Sequence, residues 1–184
     1  MKLNNKNNKN KDRDKDKSKE QERPNKKKGE IKPLYLKSLL VNLRNSLGSK
    51  TYRSFYVKNK TKTFDALDNG RLSCAAYVSS MLFMIDALKH PRPTVVSLIK
   101  EMRKNNWYEI KKVKQGAVLV WEEIRDKKNE EHQHIGFYLG SGKAISNNSL
   151  KKSPIMHHWT YGEKNGQPKR KIIAIYWHDK LNNN

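Results

Sequence analysis

The sequence predicts an α+β domain behind a charged tail, with N-terminal helices packed on a C-terminal antiparallel sheet of about five strands. Three observations carry this expectation. Residues 1–33 are rich in Lys, Asn, Asp and Glu and hold almost nothing apolar. From Pro33 to about Asn106, apolar residues recur at three- and four-residue steps, the helical period. From Trp107 onward short apolar runs bounded by turn residues take over, the signature of strands. Helices first and strands afterwards is the α+β order, as opposed to the alternation of a parallel α/β sheet.

The tail carries 13 basic and 6 acidic side chains, a net charge of +7. Such a segment buries too little apolar surface to offset its ordering entropy and is expected to be disordered. The whole chain is at +22, so residues 34–184 keep +15 of their own. A field of that sign attracts polyanions such as nucleic acid, anionic lipid or an acidic cell-wall polymer, with the tail offering non-specific nucleic-acid contact. Codon bias toward Lys and Asn produces the same composition, so charge alone selects no function. A single cysteine excludes an internal disulfide, and no run approaches the length of a membrane helix. The start, MKLNNKNNKN, has no apolar stretch of the kind found in ordinary secretory signals.

Leu36, Leu39, Leu40, Leu43 and Leu47 predict a first amphipathic helix, stopped by Gly48. Tyr52, Phe55 and Tyr56 suggest a second, short one. A turn-like Asp68-Asn69-Gly70 leads into GRLSCAAYVSSML, where Ser73 is placed to cap a helix carrying Cys74, Val78, Met81, Ile85 and Leu88 on one face. That helix is expected to reach about Lys89, where His90-Pro91-Arg92-Pro93 breaks it. Val95, Leu98, Ile99 and Met102 give the next helix, ending at Asn105-Asn106. Strands are predicted over 107–110, 117–121 (AVLVW), 134–139 (HIGFYL), 143–147 and 171–177 (KIIAIYW), with 122–131 a charged connection and Ser141-Gly142 a tight hairpin turn.

Cys74 is the residue with the clearest chemical potential. In the first turn of a helix, unpaired N–H groups and the helix dipole favour an anion, and the nucleophilic form of cysteine is the anion. A buried cysteine serving only as a small apolar residue is the plainer alternative. A cysteine nucleophile needs a base, and His134 opens a strand of the following sheet. The base in turn needs a partner on its second ring nitrogen. Ser146, Asn147 and Asn148 lie across a hairpin from it. His132 reads as a solvated loop residue and His157-His158 as a polar pair before Trp159; without a CxxC or HxxxH pairing they give no support for a metal, and no cofactor is implied.

With these residues in view, the chain resembles the papain-like cell-wall hydrolases, the NlpC-type cysteine peptidases and the related cysteine- and histidine-dependent amidohydrolases (CHAP). The likeness runs from Ser73 to about Asn148, extends to the Arg170–Trp177 strand, and rests on CAAYVSSML, on GAVLVW at 116–121 and on HIGFYLGSGKAI. It implies a papain-like fold with Cys74 as nucleophile, His134 as base and a residue near Asn147 as orienter, Asn147 being favoured because an amide oxygen accepts an imidazole N–H. The NlpC-type Asp-Cys-Ser-Gly is Ser73-Cys74-Ala75-Ala76 here, the acidic residue after the strand-opening glycine is Ala117, and the family's second histidine falls close to Ser146. By the same resemblance the Cys74 N–H and Tyr56 serve as oxyanion donors, Trp159 and Tyr161 line a substrate groove, and the substrate is an amide bond of peptidoglycan. Without a secretory signal, such a protein is expected to be made in the cytoplasm and to reach the wall by a non-classical or phage-type route. A polyanion-binding protein on an inert core, an acyltransferase and a deconjugating peptidase are the alternatives the residues leave open.

Overall fold

The computed structural model describes residues 31–125 and 129–182, and its compact unit runs from Pro33 to the C-terminal end. The predicted tail lies, up to residue 30, outside the described residues. Three helices and a mainly antiparallel sheet give the α+β class expected. Among the described residues no helix is long and apolar enough to cross a membrane.

Helix α1 spans Tyr35–Asn45 and buries Leu39 and Leu43 completely. It stops two residues short of Leu47 because the Ser46 hydroxyl donates to the Leu43 carbonyl (2.7 Å), which the next turn of helix no longer satisfies. The segment around Phe55 and Tyr56 is not helical. It forms a hairpin of β1 (Tyr56–Lys58) and β2 (Thr63–Asp65), antiparallel to each other. Asp65 explains why: its carboxylate accepts the N–H groups of Phe55 (2.8 Å), Leu67 (3.0 Å) and Asn69 (2.8 Å). Burial acts to raise this carboxyl, but those bonds prevail and hold it down to about 2.

Helix α2 spans Cys74–Met84, not the longer stretch to Lys89. Its end is a Schellman motif, in which Asp86 takes a left-handed φ of 54° and the Ala87 N–H reaches back to the Leu82 carbonyl (2.9 Å). An aspartate at a position usually held by glycine concealed this stop. Ser73 occupies the cap position but makes no capping bond; its buried Oγ has no partner. Helix α3 (Val95–Lys104) starts at Thr94, whose Oγ1 accepts the Ser97 N–H, and ends where expected, with Asn106 at φ 61°.

The main sheet has six strands, one more than the sequence indicated. They are β3 (Tyr108–Glu109), β4 (Val118–Arg125), β5 (Glu131–Gly140), β6 (Lys143–Asn148), β7 (Ser153–His158) and β10 (Ile172–Trp177), in the order β3-β10-β4-β5-β6-β7. A small separate hairpin, β8 (Glu163–Lys164) with β9 (Gln167–Pro168), precedes β10, and a 3-10 turn (Asp179–Asn182) follows it. Strand β7 is the one missed, and β4 and β5 extend into the supposed connection, of which residues 126–128 lie outside the described residues. The β5–β6 hairpin turns at Ser141 and Gly142, both at positive φ, as the tight turn requires.

The first half of β4 and the middle of β5 are buried on both faces, which is why they read as continuous apolar runs. Val118, Val120, Ile135, Phe137 and Ile145 join the large core shared with the helices. Leu119, Trp121 and Ala144 form a second cluster with Tyr138, Trp159 and Tyr161 against it. Helix α2 lies against β5 and β6, with Tyr77 fully buried edge-on to Phe137 at 6.3 Å between ring centres. Burying a side chain of that size contributes about 2–3 kcal/mol. This packing holds the start of α2 beside the first half of β5.

Candidate active site

A cleft of about 490 Å³ runs past the N-terminus of α2 and is lined by Cys74, Ala75, His132, His134 and Arg170, among others. Cys74 opens α2 and is half-buried. Burial pushes its thiol above the ordinary value, against the expectation of an acidified nucleophile. The N–H groups of Ile135, Ala75 and Cys74 itself and the charge of Arg170 pull the other way without cancelling it.

His134 stands on β5, paired across to Trp121 of β4, with the two rings 5.5 Å apart. Burial, then the charges of Arg170 and His157, pulls its pKa down to about 3. Both members of the pair are thus neutral at rest, a thiol and an imidazole, and they share the cleft without a hydrogen bond between them. Acid–base contacts of this kind commonly tighten only when substrate is bound.

The side chain hydrogen-bonded to His134 is Ser146, not Asn147. Ser146 Oγ lies 2.8 Å from His134 Nε2, 2.8 Å from His157 Nε2 and 3.3 Å from the Tyr161 hydroxyl. The direction of these bonds follows from their far end. His157 Nδ1 is 2.8 Å from the His158 carbonyl, which only accepts, so Nδ1 carries the proton and Nε2 is the acceptor. The one hydrogen of Ser146 Oγ therefore goes to His157, and Ser146 accepts from His134 Nε2–H. This assignment leaves His134 Nδ1 as the unprotonated nitrogen, the one able to take a proton. Tyr161, stacked on His157 with ring centres 4.2 Å apart, completes the oxygen's second acceptance.

Asn147 faces away because successive strand residues point to opposite sides. Its Nδ2 donates to the Gly70 carbonyl (2.8 Å), so it anchors the loop that delivers Cys74, while its Oδ1 has no partner. Asn148 closes the β6–β7 turn by accepting from the N–H groups of Leu150 and Lys151. Tyr56, expected as an oxyanion donor, sits 71% exposed on β1 and does not line the cleft. Trp159 also lies off the cleft lining; it packs on Tyr138 at 5.5 Å and its carbonyl accepts from Trp121 Nε1. His132 is not a loop residue but part of β5, bonded to Glu130 (3.2 Å) on the wall of the cleft.

Three participants escaped the sequence reading. His157, expected only as half of a polar pair before Trp159, stands on a strand, for which the alternation of Ile155 with His157 was a faint signal. On β7 it lies diagonal to Ser146, whose direct partner is Ile155. Tyr161 was noted only as a groove residue. Arg170 gave no signal, because its place depends on long-range packing. It is 8% exposed, and its guanidinium donates to the carbonyls of Glu122 (Nη2, 2.9 Å) and His132 (Nη2, 3.0 Å).

Compared with family models and with curated proteins, the chain matches none.

Proposed function

We propose that the domain is a papain-like cysteine hydrolase that cuts an amide bond, with peptidoglycan peptides as its substrates. The observation that carries this reading is the shared cleft: a thiol at the start of a helix lies with an imidazole whose second nitrogen is fixed by a hydroxyl. In the mechanism, Cys74 Sγ attacks the scissile carbonyl as its proton passes to His134 Nδ1. The resulting imidazolium is supported through Nε2–H by Ser146, whose hydroxyl stays directed at His157. The N–H groups of Cys74, Ala75 and Ile135 surround the sulfur and offer donors for charge developing next to it. His134 then gives its proton to the leaving amine, and water hydrolyses the thioester with His134 again as base. The peptidoglycan part rests on the resemblance of residues 73–148 and on the basic charge, which suits an anionic wall.

The test is incubation of the full chain with purified walls, followed by identification of the new amino and carboxyl termini. New termini that vanish with Cys74→Ala support the hydrolase. Steeply salt-dependent binding to walls or DNA without any cleavage would instead favour a polyanion-binding protein.

A further inference from the structure

Arg170 is a buried cation that makes no ion pair with a carboxylate among the described residues. Its Nε and Nη2 are spent on two backbone carbonyls, Glu122 (3.1 and 2.9 Å) and His132 (3.0 Å). Its guanidinium carbon lies 5.8 Å from the centre of the Tyr161 ring. The other arginines nearby have carboxylates: Arg71 with Asp68 and Glu130, and Arg125 with Glu131. The Glu122 carboxylate is turned instead to the Lys171 N–H (2.8 Å). The remaining amino group, Nη1, has its hydrogens left for the Tyr161 hydroxyl and for a ligand in the cleft that Arg170 lines with Cys74. Around the cation stand the Cys74 thiol and the Tyr161 hydroxyl, the Glu122 carboxylate acts on it only at longer range, and among the described residues no carboxylate forms an ion pair with it. A guanidinium held in a fixed orientation with donors to spare is suited to a carboxylate.

We propose that Arg170 makes this part of the cleft an anion subsite beside the nucleophile, and that the substrate carries a free carboxylate close to its scissile carbonyl. The proposal deepens the hydrolase reading and rests on Cys74 being its nucleophile. It narrows the substrate to peptides cut near a carboxyl terminus or an acidic side chain.

Two alkylating agents that differ in charge test it on the full chain: iodoacetate, a carboxylate, and iodoacetamide, its neutral analogue. Rates are compared at an ionic strength high enough to screen the net charge of +22, which would otherwise favour any anion. The expected result is modification of Cys74 at least tenfold faster by iodoacetate, with the preference abolished in Arg170→Gln and partly kept in Arg170→Lys. Equal rates in the native protein, or a preference unchanged by Arg170→Gln, overturn the subsite. Should Arg170→Gln fail to fold, the native protein decides the matter alone. N-acetylalanine should then slow the iodoacetamide reaction at least threefold while N-acetylalaninamide does not, and equal effects overturn the proposal. Wall cleavage without any anion preference refutes the subsite and leaves the hydrolase standing. A Cys74 inert to both reagents in the folded protein refutes both.

Discussion

Ser146 Oγ sits 2.8 Å from His134 Nε2 and holds the ring by accepting a hydrogen bond from its N–H, while the very next side chain, Asn147, holds the loop before Cys74. Adjacent residues of one strand thus fix His134 and the approach to Cys74 separately. Ser146→Ala should lower kcat roughly tenfold or more with little change in KM, less than the roughly 100-fold or greater loss expected for His134→Ala. Asn147→Ala should instead cost about 1–3 kcal/mol of stability by leaving the buried Gly70 carbonyl unpaired. Denaturant melts and wall-hydrolysis kinetics on the two variants check this; a catalytic loss in Asn147→Ala larger than in Ser146→Ala contradicts it.

The thiol should titrate high. Burial raises Cys74 above its ordinary value of about 8.5, so alkylation by iodoacetamide should quicken through and beyond pH 8.5 and not persist at acid pH. Fast modification below neutral pH would mean that the thiolate is already formed at rest, against the neutral pair described above.

Acid should destabilise the fold through His134. The group's folded value, about 3, lies below the unfolded value of about 6.5, so between those limits the unfolded chain binds a proton that the native state refuses. Stability is therefore complete above about pH 6.5 and falls by about 1.4 kcal/mol per pH unit for this group as pH drops toward 3. His157 and His178 are shifted the same way and add to the slope. His134→Gln should flatten the fall in unfolding free energy between pH 6 and pH 4, measured by urea titration; an unchanged slope argues against a neutral buried ring.

Gly136 is a point of close approach. A Cβ there would lie 2.5 Å from the Ile145 carbonyl oxygen, 2.7 Å from Ser146 Cβ and 3.1 Å from the Trp121 ring. Two of those neighbours belong to the backbone of β6 or its first side-chain atom and cannot swing away. Gly136→Ala should cost about 1–3 kcal/mol as an overpacking substitution and should lower activity in whatever fraction stays folded. A thermal melt and an assay at a temperature where the variant is native separate the two effects.

For the tail, the prediction concerns affinity. Deleting residues 1–33 removes a net +7, so binding to walls should weaken at low salt and converge with the full chain as salt rises, with unchanged kcat on a soluble substrate. Sedimentation with purified walls across a salt series measures it; equal binding at low salt contradicts it.

The helix-then-sheet order was legible because apolar period depends on local sequence. So were the starts of α2 and α3 and the hairpin at Ser141-Gly142, where turn residues announce themselves. The stop of α2 was not, since Asp86 adopts a left-handed conformation that glycine would have advertised. The segment at Tyr52, Phe55 and Tyr56 suggested a helix and not a hairpin because the carboxylate organising it, Asp65, lies downstream of these aromatic residues. Cys74 and His134 were placed in one cleft by position alone. The choice among Ser146, Asn147 and Asn148 needed the strand's phase, and one residue of phase moves a side chain to the opposite face. Arg170 could not be foreseen at all, because its two carbonyl partners lie 48 and 38 residues away.

The missing side chain at 136 also limits what can stand opposite it. With no side chain at 136, β5 closes directly onto Ser146, so the hydroxyl beside His134 stands against bare backbone. The second imidazole, His157, stands one strand outward, and the serine hydroxyl couples the two rings across the gap. The contact between Ser146 and His134 is thus governed in part from a residue that has no side chain to contribute.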